Sequence, residues 1–420
     1  MSKIKILNLA IYYAPYNCVA TFRNQKISKY LEEHSFFQYI FTSDFRDDIN
    51  LELCKEIPND SIVFRKKVRF PKMKSFSGFN VKPNLLSRMK YMIKDLIFSP
   101  DIFIWWILFY LPKMIKTIKK ENIKIVLVSG HPVSAFIGGY FLKKICKVKL
   151  IIDLHDPWKS LDVCKKQGFI RRASDAFWEK KCINNADLIT VAHESMRLEF
   201  LNEYNPKSEV LVIPNGFDYD DFSDILKTPK EQNQKFTFLY AGNYSLGIYE
   251  YNPTNLVMAY DLFTKKYNII DSVLTFIGTT DDETMKFINS IGNSSIFCYG
   301  QQPKNEALKL QYQADVLIHF HYPNVNKIRV TLKICEYAIL GKPILSFNVK
   351  EGTLYEFIKN NQLGESADSY NIDECIDLFY KAYKRYLTIC EKPLERLDEY
   401  NYKNICTLLA KKIMDLHYSS

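Results

Sequence analysis

Apolar residues in this chain recur as short runs separated by longer stretches in which they return every third or fourth position. Short runs bounded by Gly, Pro, Asn or Asp read as buried strands, and the longer stretches as helices packed on them. The first half opens with a strand at residues 4–12, a loop at 14–21, a helix at 23–32 and a strand at 37–42. Residues 101–120 predict a helix carrying a Trp105-Trp106 pair, 123–129 a strand ending at Gly130-His131-Pro132, and 134–146 a helix. Further strands are expected at 150–154, 188–193 and 210–213. The second half repeats the scheme, with strands at 236–241, 273–278, 296–300, 316–320 and 344–347 and helices at 282–290, 303–313 and 331–340. Two long amphipathic patterns, 373–387 and 394–416, close the chain. Strict alternation of strand and helix implies an α/β architecture of parallel sheets covered on both faces.

A length of 420 residues exceeds one ordinary core and suits two domains. Pro214-Asn215-Gly216-Phe217-Asp218 marks a sharp turn, because Asn-Gly accepts positive φ, and the polar stretch 220–235 has the composition of a linker.

The stretch 327–347, KIRVTLKICEYAILGKPILSF, concentrates the chemistry. It places Lys327, Arg329 and Lys333 in and after a loop that follows a buried strand, with Glu336 one turn into the helix and Gly341 where a C-terminal cap belongs. In an open parallel sheet, ligands bind beyond the carboxyl ends of the strands, where helix N-termini present free N–H groups. Cations there suit a diphosphate, and Glu336 suits a vicinal diol such as a ribose. The same spacing also fits an i, i+3 surface ion pair between Lys333 and Glu336.

Lys333-Ile334-Cys335-Glu336-Tyr337 followed by Gly341-Lys342-Pro343-Ile344 resembles the K-x-x-E-Y, G-K-P signature of family 4 glycosyltransferases. That resemblance implies the GT-B fold: two doubly wound Rossmann-like domains facing each other across a cleft, with retaining transfer from a nucleoside diphosphate sugar. It implies a ribose contact for Glu336. Many members carry another Glu eight residues earlier that touches the sugar; Ile328 stands there instead. The expected division is residues 1–222 as the acceptor-side domain and 236–395 as the donor-binding domain, with 396–420 as a terminal helix returning to the first.

Other stretches extend the likeness. Leu150-Ile151-Ile152-Asp153-Leu154 delivers His155-Asp156-Pro157-Trp158, similar to the family's strand ending in a basic residue before D-P-W. In related enzymes a His there hydrogen-bonds the donor sugar near the breaking bond, so His155 and Asp156 join Lys333 as candidate catalytic residues. Gly242 and Asn243, in the turn after the strand at 236–241, resemble the place where family members bring backbone N–H groups to the donor phosphate. Glu351, after the strand at 344–347, is a further donor contact. On the acceptor side, Pro15 and Arg23 match the family although its glycines are missing from the loop. Asn17 in that loop, Arg23 and His131 are the candidates there, each with an ordinary structural alternative.

The formal net charge of +10 calls for an anionic partner. Residues 64–94 carry Arg65, Lys66, Lys67, Arg69, Lys72, Lys74, Lys82, Arg88, Lys90 and Lys94 with no acid among them, interleaved with aromatics. Such a segment can lie on an anionic bilayer, remain a solvated loop or bind nucleic acid. The absence of a nucleic-acid motif and the resemblance favour the bilayer. The ten cysteines show no C-x-x-C pair or zinc spacing, which reads as a reduced cytoplasmic protein. The most apolar window, 102–111, is about half of a membrane span. No D-x-D pair sits beside the nucleotide motif, so no metal or other cofactor is expected.

The sequence therefore predicts a cytoplasmic glycosyltransferase, peripheral at the inner face of the membrane, acting on a lipid-linked saccharide or similar acceptor. Its rivals are a nucleotide-sugar epimerase on the same fold, a non-catalytic relative, and nucleic-acid binding through residues 64–94.

Overall fold

The computed structural model describes residues 3–67, 97–156, 158, 168–230, 233–248, 251–320, 330–387 and 397–419. The chain divides into two compact units, Met1–Pro214 with Tyr402–Ser420, and Asn215–Asn401.

The first unit is built on β1 (Ile4–Ala10), α1 (Val19–Glu33), β2 (Phe36–Asp44), β3 (Ser61–Lys67), α2 (Ile104–Glu121), β4 (Ile125–Gly130), α3 (Ser134–Cys146), β5 (Lys149–Leu154), α4 (Phe169–Ile183), β6 (Leu188–Val191), α5 (Glu194–Tyr204) and β7 (Glu209–Val212). All seven strands pair in parallel, in the order β3-β2-β1-β4-β5-β6-β7. Every residue of β4 and of β6 is buried, as expected of strands covered on both faces. One face packs on α2, α3 and α4 through Ile107, Met114, Phe136 and Cys182. The other packs on α1 and the terminal helix Tyr402–Tyr418, where Ile27 and Leu31 share a core with Ile405, Leu409 and Ile413.

Strand β3 was not expected, because its Arg65, Lys66 and Lys67 read as the start of a basic loop. It is the edge of the sheet, and charged side chains on an edge strand discourage pairing with other chains.

The second unit contains α6 (Ser223–Lys227), β8 (Phe236–Ala241), α7 (Thr254–Tyr267), β9 (Ser272–Ile277), α8 (Asp282–Ser290), β10 (Ile296–Cys298), α9 (Lys304–Gln313), β11 (Val316–Phe320), α10 (Leu332–Ile339), β12 (Ile344–Phe347), α11 (Thr353–Asn360), β13 (Gly364–Ala367) and α12 (Ile372–Tyr383). Its sheet is again wholly parallel, ordered β10-β9-β8-β11-β12-β13. Within the stretch 220–235, expected as a linker, Phe222 and Ile225 are buried in this unit's core beside Leu239 and Leu317. Apolar residues at the spacing of a short helix outweighed the polar composition there. Both sheets are doubly wound, the α/β architecture the strand and helix periodicities predict.

Candidate active site

In the first unit, register does the positioning. Ser129 of β4 pairs with Asp153 of β5, and Asp153 with Thr190 of β6, so three polar side chains stand side by side near the carboxyl ends of buried strands. Asp153 is 1% exposed, and its carboxylate collects donors from every direction. Arg23 donates from Nη2 to Oδ1 at 2.8 Å and from Nε to Oδ2 at 3.2 Å. Thr190 donates to Oδ1 at 2.7 Å, and Ser129 Oγ lies 2.9 Å from Oδ2. His155 Nε2 sits 2.9 Å from Oδ2 and 2.8 Å from Ser129 Oγ. Burial alone would raise the Asp153 pKa, but Arg23 and His155 outweigh it and hold the carboxyl well below its ordinary range. The anion fixes the imidazole with Nε2–H directed at it, leaving Nδ1 as the ring nitrogen not committed to Asp153.

Around this core, His131 Nδ1 is buried without a hydrogen-bond partner among the described residues. Burial pulls the His131 pKa down, with His155 adding to the effect and Asp156 and Asp101 opposing it. Asp101 accepts from the Ser134 backbone N–H at 2.9 Å and its hydroxyl at 2.7 Å, tying the start of α3 to the loop before α2. Trp158 is a core residue, 1% exposed, packed on Phe136 with its Nε1 3.3 Å from Asp175.

In the second unit, β8 and β9 end in close apposition. Gly242 has φ +142° and Gly278 φ +139°, and a Cβ on Gly278 would lie 2.0 Å from the Gly242 carbonyl oxygen. Only glycine lets the two turns approach in this way. A Cβ on Gly242 would lie 2.2 Å from Lys333 Nζ, so the turn also makes room for an ammonium. Lys333, on the first turn of α10, holds that ammonium 4.2 Å from the centre of the Tyr240 ring. The Tyr240 hydroxyl donates to the Asn243 carbonyl at 2.8 Å and braces the same turn. Tyr337, fully buried on α10, accepts from the Ala241 N–H at 3.1 Å and so locks the helix to the end of β8.

The electrostatics single out Lys333. Burial lowers its pKa to about 7, with only Glu336 opposing. The two do not form the i, i+3 ion pair that spacing allowed, and among the described residues Lys333 is a cation stacked on a ring rather than paired with a carboxylate. Glu336 is half-buried, and burial raises its pKa against the opposing pull of Lys304 and Lys333. Lys304, at the start of α9, pairs with Asp221 at 3.3 Å. The start of α10 is anchored by Thr331 Oγ1, 3.3 Å from Nε2 of the buried His319 at the end of β11. Asn348 Nδ2 lies 3.4 Å from the other ring nitrogen.

Comparison with known proteins bears on both units. The model of glycosyltransferase family 4 matches residues 79–221. Solved structures superpose along the whole length. Sucrose-phosphate synthase from Thermosynechococcus elongatus is 15% identical, with 100% of each chain covered and a TM-score of 0.62. WaaG, a glycosyltransferase involved in lipopolysaccharide biosynthesis, is 13% identical over 97% of this chain and 99% of its own, with a TM-score of 0.63. HepE of Anabaena, solved with UDP and glucose, is 16% identical over 98% of this chain and 100% of its own, at 0.61. No curated protein matches the sequence. Residues 79–221 thus match glycosyltransferase family 4, and the chain as a whole has the GT-B fold.

The residues picked out by sequence fall into distinct groups. Gly242 and Lys333 come together at the end of β8, with Asn243 in the same turn, while Glu336 stands three residues after Lys333 on α10. Glu351 is exposed and immediately precedes Gly352, the N-cap of α11 with φ +89°. Lys327 and Arg329 lie outside the described residues, as does most of the basic segment 64–94. Asn17 is exposed on a loop pinned by its own N–H to the Asp48 carbonyl at 2.7 Å. Arg23 requires a correction: expected to face an acceptor, it is 1% exposed, and Asp153 with the carbonyls of Ile213 and Pro214 occupies its guanidinium. Sequence reasoning also missed Ser129, Asp153, Thr190 and His319. For the first three the available signal was a polar residue interrupting each of three consecutive apolar strands.

Proposed function

We propose that this protein is a retaining, metal-independent glycosyltransferase that moves a hexosyl group from a nucleoside diphosphate sugar to a lipid-linked saccharide or similar acceptor in surface polysaccharide biosynthesis. Lys333 is the observation that carries the donor half of this reading. A desolvated ammonium, stacked on Tyr240 beside a glycine turn, is a cation short of an anion. A diphosphate placed there restores its full charge, and the ammonium in turn stabilises the charge that grows as the nucleotide departs. Lys327 and Arg329 belong to the same cationic group by sequence. Glu336, one turn further along α10, accepts hydrogen bonds from the ribose diol. In the first unit, His155, fixed by Asp153, hydrogen-bonds the transferred sugar, and Asp156 assists at the acceptor hydroxyl. The UDP and glucose bound to HepE make a uridine nucleotide the first donor to try. WaaG's part in lipopolysaccharide synthesis supports a lipid-linked saccharide as acceptor. The basic segment 64–94 holds the enzyme at the inner, anionic face of the membrane.

The test is thermal stability against a panel of nucleoside diphosphates and their sugars, repeated with Glu336→Ala. One base should raise the melting temperature, at a saturation of 100 times Kd by about 2.7 kcal/mol of stability, and the variant should lose most of that rise. If no nucleotide shifts wild type, the donor assignment fails.

A further inference from the structure

The second sheet has a charged cavity at the end opposite the donor turn. Phe236 opens β8, Asp271 and Asp315 stand just before β9 and β11, and Arg385 follows α12, so the cavity gathers the amino ends of adjacent strands. Strand β8 is six residues long, which at about 3.3 Å per residue puts roughly 20 Å between Phe236 and the Gly242 turn. The cavity measures about 690 Å³ and, among the described residues, is ringed by Lys230, Lys235, Lys384 and Arg385, with Phe236 and Tyr383 as an apolar wall. A recess of about 210 Å³ shares Lys230, Phe236, Asp315 and Arg385 with it and reaches Pro343.

The two acids of the cavity are already engaged. Asp315 accepts from the Thr237 N–H at 3.0 Å and from Asn233 Nδ2 at 3.1 Å, and Asp271 accepts from the Tyr383 hydroxyl at 2.7 Å. Lys230 lies 3.9 Å from Asp315, beyond hydrogen-bond reach. Lys342, next to Pro343, is 8% exposed and holds its ammonium 5.0 Å from the centre of the Tyr312 ring. Burial, together with the Lys230 ammonium beside it, lowers the Lys342 pKa to about 7 against the pull of Asp315. Among the described residues none of Lys235, Lys342, Lys384 and Arg385 forms an ion pair. Five cations thus face two carboxylates, and the carboxyl end of α12 supplies only about half a negative charge more.

Arg385 is placed there against local preference. It occupies the left-handed position that closes α12, at φ +59°, with its N–H on the Ala382 carbonyl at 2.9 Å and the Tyr386 N–H on the Lys381 carbonyl at 2.8 Å. Glycine is the ordinary residue at this position, and arginine meets a backbone cost that glycine does not.

We propose that this cavity is a second anion site, taking a soluble phosphorylated molecule about the size of a sugar phosphate, with the phosphate on Lys230 and Arg385 and the remainder against Phe236 and Tyr383. An anion on Lys230 also relieves its repulsion of Lys342. The site is separate from Lys333 and does not depend on the donor reading.

The experiment is titration calorimetry of the full chain with inorganic pyrophosphate, which suits both this cavity and a diphosphate site. Wild type should bind two equivalents, each more weakly as salt rises. Lys333→Met should remove one, and Lys230→Gln/Arg385→Gly should weaken the other about a hundredfold, roughly tenfold per cation. Arg385→Gly alone should unfold at or above the wild-type urea midpoint, since glycine takes φ +59° freely, so its weaker binding is not a loss of fold. No binding, or a single equivalent that Lys333→Met abolishes and Lys230→Gln/Arg385→Gly leaves intact, would overturn the second site without touching the nucleotide test of the donor site. A single equivalent lost only in Lys230→Gln/Arg385→Gly would support it and count against the donor assignment. Glu231 follows Lys230 in sequence and lies outside the described residues. Second-site binding that emerges only in Glu231→Gln would show that the cations already have their counter-ion, and would overturn the proposal.

Discussion

Replacing Lys333 by Met should make the protein more stable and a poorer binder of its donor. Methionine keeps the length of the stem and the packing against Tyr240 while removing the charge. The wild-type ammonium titrates near pH 7 in the fold, against an ordinary value of 10.5, because burial disfavours its charged form. A shift of about 3.5 units corresponds to at most about 4.8 kcal/mol at 1.36 kcal/mol per unit. Lys333 keeps some solvent contact, so about 2–3 kcal/mol is the expected gain, or about 5–10 °C in the melting of the unit that contains it. The sign gives a second test. A lowered lysine pKa means that between pH 7 and 10.5 the unfolded chain holds the extra proton, so wild-type stability rises with pH across that window. The advantage of Lys333→Met is therefore greatest at pH 7 and about halved by pH 9. Donor affinity moves the other way, falling about ten- to a hundredfold for loss of a charge-assisted contact. Urea melts at both pH values and titration with a nucleotide sugar, whose diphosphate does not titrate in this range, measure the two effects. A variant less stable than wild type, or an advantage that does not change with pH, would refute the picture of an unpaired, desolvated cation.

Two further perturbations follow from the same geometry. Arg23→Met strands the Asp153 carboxylate and removes the donors to Ile213 O and Pro214 O, and should destabilise the first unit by about 3–5 kcal/mol in urea. Adding Asp153→Leu should recover part of that loss, since it removes the stranded charge but leaves the buried Thr190 hydroxyl without its acceptor. Because the Asp153 pKa is depressed, its contribution is present above the unfolded value near 3.8 and disappears as pH falls below it. Asp153→Asn should therefore flatten the decline in urea midpoint between pH 5 and pH 3. Gly242→Ala forces a non-glycine into φ +142° and drives Lys333 aside, so nucleotide affinity measured by calorimetry should fall roughly tenfold.

Much of the fold was legible because strands buried on both faces advertise themselves as short apolar runs. β8 and β11 and helices α3 and α8 fall at the residues expected from periodicity and capping. Edge strand β3 was hidden by its charges, which serve the edge and mask the alternation. Helix α7 was missed because Met258 and Leu262 on its outer side broaden the apolar stripe until no period stands out. In the site, Lys333, Glu336 and Gly242 were visible as types suited to phosphate and diol. That Lys333 stacks on Tyr240, and that Glu336 does not pair with it, depends on side chains brought in from β8, nearly a hundred positions earlier.

Arg23 shows the limit most sharply. A conspicuous arginine behind a loop at a strand's end reads equally as a ligand contact or as a counter-ion, and only long-range register decides. Ser129, Asp153 and Thr190 sit on consecutive strands and become neighbours solely through parallel pairing. Asp153 then has two clients, Arg23 below and His155 at the strand end. One carboxylate thus ties a buried ion pair that holds α1 and the β7 end together to the orientation of the imidazole. A change at Arg23 would reach His155 through the charge they share, although the guanidinium itself has no exposed surface to offer a substrate.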